Sequence, residues 1–415
     1  MSRDLQQRSS VIPIVVEGVA TAAERTRAPI MQGPQSNSGR SLRSITYSAA
    51  TEAAARLLRT PQYIILFVSS QCWMKCSHCW FNEEWKEREL TQPALTFDEY
   101  ERMARSMSAV GFLSITGGEA FQRPDIVELA TMFRKTTRLR RYQIPTSGYR
   151  TERIVAATER LLQENPDTPF RVDVSLDGIP EVHNSIRRIK DGFENAVQTL
   201  RELNVLKRHY RHFDVGVITT ISRQNQHVVR ETAELVEAIH PDGEWMINIA
   251  RGNGRDQTAV EVDPQAYRLA HELVQDRIAR GAYKGHSGHW TAKWLSAKNS
   301  ARRDIIYEII NGRREGGGCT AGSVAGVIQS DGAVKACEML DQSLGNIRDF
   351  DYDLVRLWQG GAAREMRRYI QETRCQCTQE CFLSTSMLIS PDAWRRMSAA
   401  RWNLAAQPQG TGGGT

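Results

Sequence analysis

The chain has 415 residues, of which 40% are hydrophobic and 25% are charged, and its formal net charge is +6. These are the proportions of a globular protein, and they exclude a wholly disordered chain or a fibre. The longest apolar run, residues 63–68, is far shorter than the ~20 residues of a membrane-spanning helix, and we recognise no signal peptide, so we expect a cytoplasmic protein without a membrane span.

The two ends of the chain differ in composition from the part between them. Residues 1–60 combine scattered arginines with Gly-Pro and Ser-Asn-Ser-Gly segments and show no sustained hydrophobic period before about Ala49. This pattern predicts a flexible N-terminal extension, with a docking arm for an acidic partner as the alternative. Residues 405–415 are rich in glycine and predict a disordered tail.

Strand-like and helix-like segments alternate through the first two thirds of the chain. Short apolar runs predict strands at residues 63–68, 111–115, 142–145, 170–176, 213–220 and 245–250. Helical patterns lie between them, at residues 98–109, 124–135, 151–163, 192–203 and 225–239. Strands that alternate with helices predict an α/β fold with a parallel sheet, either a twisted open sheet or a partial barrel. Ligands then collect at the carboxyl ends of the strands.

A second, smaller unit is predicted after residues 286–315, which we interpret as a helical linker. Glycines at 316–318 mark the boundary, and Asp331-Gly332 lies between two apolar runs, which is a strong hairpin signal. Helical segments follow at residues 353–358, 362–372 and 391–403. We therefore expect a C-terminal α+β domain over residues 316–404.

Eight cysteines fall into two groups, and the front group follows the first predicted strand directly. Cys72, Cys76 and Cys79 stand within eight residues of one another. In a reducing compartment such clustering favours metal binding over disulfides. Thiolates suit both iron–sulfur clusters and zinc, and His78 offers a fourth zinc ligand, so the spacing favours a cluster but leaves zinc open.

A glycine-rich step ends the second predicted strand. Gly117 and Gly118 allow close approach of the backbone to a ligand, and the carboxylate of Glu119 can accept a hydrogen bond from an amino group. A lone Gly-Gly-Glu is usually an ordinary turn. Here it lies one βα unit after the cysteines, at the same predicted end of the sheet.

These motifs together resemble the radical S-adenosylmethionine (SAM) superfamily over roughly residues 61–255. The front cysteines have that family's spacing, and Thr116–Glu119 is similar to its GGE motif. The resemblance implies a partial (β/α)6 TIM-like barrel core over residues 61–285 and a 4Fe-4S cluster held by Cys72, Cys76 and Cys79. It also implies SAM contacts, which we expect at Gly117, Gly118, Glu119, Ser147, Ser175, Asp177 and Arg187.

The family chemistry that this resemblance implies is reductive cleavage of SAM. One electron cleaves the sulfonium and gives a 5′-deoxyadenosyl radical, which removes a hydrogen atom from an unreactive C–H bond. The cofactors supply this reactivity, while the protein binds and orients the reactants. A flavodoxin or a ferredoxin-like protein is the expected electron donor.

The rear group contains five cysteines: Cys319, Cys337, Cys375, Cys377 and Cys381. A fully ligated 4Fe-4S cluster needs four thiolates, so the count favours one auxiliary cluster with one spare cysteine, and a structural zinc site is the alternative. The spacing around Gly332 and Cys337 resembles the opening of the SPASM/twitch extension of radical SAM enzymes, and five cysteines favour the shorter twitch form. We expect Cys319, Cys337 and Cys381 as ligands, with Cys377 preferred to Cys375 as the fourth.

The substrate is less constrained than the cofactors. Residues 1–60 are shorter and less regular than the recognition domain that peptide-maturing relatives often carry. We therefore favour a small molecule, such as a sugar or a glycosylated natural product, undergoing oxidation or epimerisation, and keep a ribosomal peptide as the alternative. A remote alternative is a zinc-binding nucleic-acid module, although the modest net charge leads us to expect no nucleic-acid partner.

Overall fold

The computed structural model describes residues 42–80, 89–282, 292–313 and 318–406, and six of its strands form a parallel sheet. Their bounds are β1 Tyr63–Phe67, β2 Phe112–Thr116, β3 Tyr142–Thr146, β4 Phe170–Ser175, β5 Phe213–Ile221 and β6 Glu244–Ile249. They lie side by side in chain order, and each predicted strand is confirmed to within about two residues. The second edge of β1 pairs with a later strand rather than with β6, so the barrel is partial, as expected.

Helices connect these strands and also form most of the C-terminal part. Their bounds are α1 Leu42–Leu58, α2 Phe97–Ser106, α3 Ile126–Thr137, α4 Thr151–Glu164, α5 Pro180–Arg187, α6 Gly192–His209, α7 Val229–Ile239, α8 Pro264–Ala279, α9 Ala292–Ile310, α10 Leu354–Trp358, α11 Gly361–Glu372, α12 Glu380–Ile389 and α13 Pro391–Ala406. The sequence did not predict α1, α5 or α12. Helix α6 runs six residues further than expected, because Lys207, Arg208 and His209 form its last turn, where positive charge is favourable.

The predicted hairpin around Asp331-Gly332 is confirmed, but its strands extend the main sheet. Strand β7 (Ala325–Ile328) pairs antiparallel with β8 (Ala333–Lys335), which pairs with β9 (Ser343–Asn346). Gly332 has a φ of +88°, a conformation that glycine adopts without strain. Strand β7 also pairs in parallel with β1, so one nine-stranded sheet joins the barrel strands to the C-terminal ones.

The prediction of a flexible extension over residues 1–60 is wrong for α1, which packs on the C-terminal part of the chain. The Tyr47 hydroxyl donates a hydrogen bond to the carbonyl of Gly318 at 3.0 Å. The Gln359 amide donates to the carbonyl of Ala55 at 2.8 Å. Alanine-rich α1 has no clear apolar stripe, so its helix depends on alanine propensity and on these distant partners. Residues 1–41 and 407–415 lie outside the described residues.

The core follows the parallel sheet. Residues 64–68 of β1 and the segment after it are almost completely buried on both faces, as in sheets covered by helices on one side and by a barrel interior on the other. Trp358 of α10 fills the space above Gly326 of β7, where a Cβ atom would come within 2.4 Å of its ring. None of the described helices is long and apolar enough to cross a membrane.

An ion pair joins α2 to the segment after β9 and gives a pH-dependent prediction. Arg348 donates two hydrogen bonds to the Glu99 carboxylate, and they lower the pKa of Glu99 to about 2. A depressed carboxyl pKa stabilises the fold above the unfolded-state value of about 4.3, and this stabilisation is lost as the pH falls toward 2. We expect Glu99→Gln to lower the melting temperature at pH 7 and to lower it less at pH 4. An equal loss at both pH values would contradict this assignment.

Candidate active site

The front cysteines lie on the loop that follows β1 and line one cavity at the carboxyl ends of the parallel strands. Cys76 is buried, and Cys72 and Cys79 are half-buried. The cavity has a volume of about 250 Å³. It is lined by residues at or just after the ends of several strands, including Gly118, Ser147, Ser175, Thr220, Asn248 and Arg251, and by Arg187 at the end of α5. The expected convergence of the cysteine loop with the strand ends is therefore present.

The Gly-Gly step packs against the segment that leads into Cys72. The Gly118 amide donates to the carbonyl of Ser69 at 2.8 Å, and the Glu119 amide donates to the carbonyl of Gln71 at 2.7 Å. A Cβ atom on Gly118 would lie 2.2 Å from the Gln71 oxygen, and one on Gly117 would lie 2.4 Å from the Ser69 oxygen. We expected these glycines to admit a ligand. In the structure they let two backbone segments of the protein come together, and only Gly118 also lines the cavity.

This contact predicts the effect of Gly118→Ala. The added methyl group forces apart the two segments that hold the cysteine loop, at a cost of about 1–3 kcal/mol. We expect a lower urea midpoint and reduced iron loading. Gly361→Ala is the matched control, because nothing lies within 4 Å of its added Cβ atom. Equal urea midpoints for the two variants would show that the loop adapts without cost.

Glu119 is buried against the end of β3. Its carboxylate accepts hydrogen bonds from the Ser147 amide at 2.9 Å, the Ser147 hydroxyl at 2.7 Å and the Thr146 hydroxyl at 3.0 Å. Burial raises the pKa of Glu119, and the donors from Ser147 oppose that rise. The described cavity lining does not include Glu119. Its side chain joins the ends of β2 and β3, and the expected contact of Glu119 with SAM stays a prediction.

Asp177 also lies behind the cavity, where it holds Arg187. The Arg187 guanidinium contacts the Asp177 carboxylate at 2.6 Å, and the Thr220 amide donates to the other carboxylate oxygen at 2.9 Å. Burial alone would raise the pKa of Asp177, but the charge of Arg187 holds it below its usual range. Of the predicted SAM contacts, Gly118, Ser147, Ser175 and Arg187 line the cavity, whereas Gly117, Glu119 and Asp177 support residues that do.

Arg251 connects this cavity to the rear cysteines. It lines the cavity, donates a hydrogen bond to the carbonyl of Thr378 at 2.9 Å and lies 3.7 Å from the Glu380 carboxylate. Thr220, Asn248 and Arg255 also line the cavity, and of these only Asn248 lies outside the segments that the sequence places near the active-site rim. The available signal was their position at or just after the ends of β5 and β6.

Four of the rear cysteines influence one another, and the fifth, Cys381, shares the charges of Arg251 and Glu338 with Cys377. The Cys375 thiol hydrogen-bonds to the Cys319 sulfur, which lowers the pKa of Cys319 and raises that of Cys375. Burial, followed by the charges of Cys377 and Cys319, raises the pKa of Cys337. Burial followed by the charge of Cys319 raises the pKa of Cys377 to about 12. Cys319, Cys375 and Cys377 also line one cavity.

Cys381 lies in the first turn of α12 and faces the start of β1. The Tyr63 hydroxyl donates a hydrogen bond to the Cys381 sulfur, and the charge of Glu338 acts on the same thiol. Four neighbouring thiols fit the ligand chemistry of a 4Fe-4S cluster, and the thiol of Cys381 has Tyr63 as its hydrogen-bond partner. In the part of the chain that the structure describes, no three His, Cys, Asp or Glu side chains converge as ligands of a single metal ion.

Comparison with known sequences places this site in a family context. Residues 66–236 match the model of the Radical SAM superfamily. The AdoMet-dependent heme synthase of Methanosarcina barkeri is 24% identical over 77% of this chain and 88% of its own length. The Fe-coproporphyrin III synthase of the same organism is 25% identical over 69% of this chain and 71% of its own length.

Two solved structures share the fold. Native anSMEcpe with bound AdoMet is 16% identical, with a TM-score of 0.51 over 83% of this chain and 98% of that one. SuiB of Streptococcus suis bound to S-adenosylmethionine is also 16% identical, with a TM-score of 0.51 over 77% and 71% of the two chains. At this identity the likeness concerns the fold alone. The family match over residues 66–236 and the shared fold confirm the resemblance drawn from the cysteine and glycine motifs, so this part of the chain matches a radical SAM domain.

Proposed function

We propose that the protein is a radical SAM enzyme that removes a hydrogen atom from a small-molecule substrate and uses an auxiliary 4Fe-4S cluster in the same turnover. The observation that carries this proposal is the single cavity in which Cys72, Cys76 and Cys79 meet polar groups from five strand ends. When bound, the cluster and SAM supply the 5′-deoxyadenosyl radical that attacks the substrate.

The protein's own residues hold the reactants at the rim of the sheet. Ser147 and Ser175 line the cavity, and Arg187 brings positive charge next to Cys76. These groups suit the hydroxyl groups and the carboxylate of SAM, while Thr220 and Asn248 lie at the far strand ends, where we place its adenosine. The half-buried Trp80 covers the cysteine loop and packs edge-on against Phe67 of β1, which limits access of water.

For the auxiliary cluster we propose the ligands Cys319, Cys337, Cys375 and Cys377. This set replaces the one expected from spacing, in which Cys381 was a ligand and Cys375 was spare. It rests on the hydrogen bond between Cys319 and Cys375, on the charge interactions among the four thiols, and on the partner that Cys381 has in Tyr63. Arg251 reaches this loop from the SAM cavity, so substrate bound between the two groups of cysteines contacts both sites.

The relatives that cover most of this chain support our proposal for the substrate class. The two Methanosarcina barkeri enzymes carry the names of a heme synthase and an Fe-coproporphyrin III synthase. These names favour a small molecule over a peptide, and a tetrapyrrole over the sugar that we first considered. A peptide stays the second candidate, because SuiB in complex with its precursor peptide SuiA shares this fold with a TM-score of 0.53.

The experiment that tests the function is anaerobic reconstitution followed by product analysis. The full-length protein is loaded with iron and sulfide, reduced, and supplied with SAM and with deuterium-labelled tetrapyrrole, sugar or peptide candidates. Mass spectrometry then measures deuterium in 5′-deoxyadenosine. Transfer from a tetrapyrrole or a sugar supports the proposal, and transfer from a peptide alone assigns the peptide alternative. A loaded protein that forms no 5′-deoxyadenosine contradicts it.

A further inference from the structure

Helix α5 holds the loop that carries the front cysteines by two contacts. The Ser77 amide donates to the carbonyl of Ile186 at 2.8 Å. The next residue of the helix, Arg187, directs Nη1 at the Cys76 sulfur, at a distance of 3.7 Å. One of the three thiolates proposed to hold the SAM-binding cluster therefore receives a charge-assisted hydrogen bond from the protein.

The guanidinium that makes this bond is fixed by other groups of the protein. Its Nε and Nη2 atoms lie 2.7 Å and 2.6 Å from Oδ2 of Asp177. The Thr220 amide holds Oδ1 of the same carboxylate at 2.9 Å. Arg187 and Asp177 are 8% and 0% exposed, so solvent screens their charges little. Other groups of the protein therefore aim Arg187 at Cys76.

A donor in this position has a defined effect on a cluster. Reduction adds one negative charge to the cluster and its thiolates, and hydrogen bonds and positive charge at the sulfur atoms stabilise the reduced form. The paired carboxylate of Asp177 offsets part of this charge but lies on the far side of the guanidinium from Cys76. The net effect at the sulfur is thus that of a fixed cationic donor.

We propose that Arg187, positioned by Asp177, raises the reduction potential of the SAM-binding cluster through its hydrogen bond to Cys76. The role is separate from the contact with SAM expected from the sequence, since it concerns the cluster before SAM is bound. It rests on the proposed function in one respect, because the front cysteines must hold a 4Fe-4S cluster.

The test is an anaerobic redox titration of the reconstituted full-length protein without SAM, followed by electron paramagnetic resonance. The first variant, Arg187→Lys, keeps the positive charge but loses the planar guanidinium group, whose nitrogen atoms contact Asp177 and Cys76 at the same time. The second, Arg187→Met with Asp177→Asn, removes both charges and leaves no unpaired buried ion. The control is Arg188→Lys, because Arg188 is the next residue in the chain and its side chain is exposed. Lysine and arginine both carry a Cβ atom, so the substitution adds no new strain at the φ of +54°.

We expect the midpoint potential of the front cluster to become more negative in the double variant, by less in Arg187→Lys, and to stay at the wild-type value in Arg188→Lys. The dissociation constant for SAM is measured on the same samples. Unchanged potentials with weaker SAM binding would overturn the proposal and leave Arg187 as a SAM contact only. A wild-type protein that takes up no 4Fe-4S cluster would instead overturn the proposed function, so the two failures are distinguishable.

Discussion

Replacing Cys76 with serine is expected to reduce 5′-deoxyadenosine formation below detection. Cys76 is the most buried of the front cysteines, and Arg187 holds its sulfur in place. Serine keeps the size of the side chain but is a poor ligand for iron, so only two thiolates would remain for the cluster. Mass spectrometry of 5′-deoxyadenosine and the iron content per chain measure the two parts of this effect.

The matched control for this variant is Ser77→Ala in the same loop. Ser77 is buried, and its hydroxyl has no hydrogen-bond partner within the described residues, so its removal deletes no contact that the structure shows. We expect this variant to keep wild-type iron content and product formation. Full activity in Cys76→Ser would contradict both the cluster assignment and the function proposed for the cavity.

Replacing Cys337 with serine is expected to remove the auxiliary cluster and to spare the front one. The iron content should fall from about eight to about four per chain, the loss of one 4Fe-4S cluster. SAM cleavage without substrate turnover should continue, because the cavity around Cys72, Cys76 and Cys79 does not include Cys337. Product formation from the labelled substrate should be lost, so the ratio of 5′-deoxyadenosine to product separates the two roles.

Cys381→Ser and Cys375→Ser distinguish the two possible ligand sets. We expect Cys381→Ser to retain about eight irons per chain and Cys375→Ser to retain about four. The reverse pattern would contradict the set proposed from the structure and restore the one expected from spacing. The visible absorption of each reconstituted variant provides an independent measure of the same loss.

The sequence was sufficient to predict the barrel strands and the meeting of the front cysteines with the strand ends. Each of these strands is a local apolar run, and parallel strands place their carboxyl ends at one edge whatever follows them. The cavity position of Ser147 and Ser175 follows from the same rule. These predictions needed no knowledge of how distant side chains pair.

The contacts that the sequence did not predict all depend on a distant partner. Asp177 and Glu119 belong to recognisable motifs, yet each carboxylate is taken up by protein donors that only the folded chain brings near it. Cys381 follows the other rear cysteines closely, and spacing alone placed it on their loop. Helix α12 begins at Glu380, and its mixed serine and apolar pattern gives no clear helical signal. The sequence therefore did not predict the contact between Cys381 and Tyr63.

The pairing of β1 with β7 has a consequence for the way the chain holds together. Strand β1 leads into the cysteine loop, and its outer side would expose free amide and carbonyl groups if the chain ended before residue 325. An unpaired strand edge of this kind can pair with a strand of another molecule, which leads to aggregation. Strand β7, which follows the linker, therefore protects the outer edge of β1. A shorter protein with the same barrel would need another element to pair with that edge or to cover it.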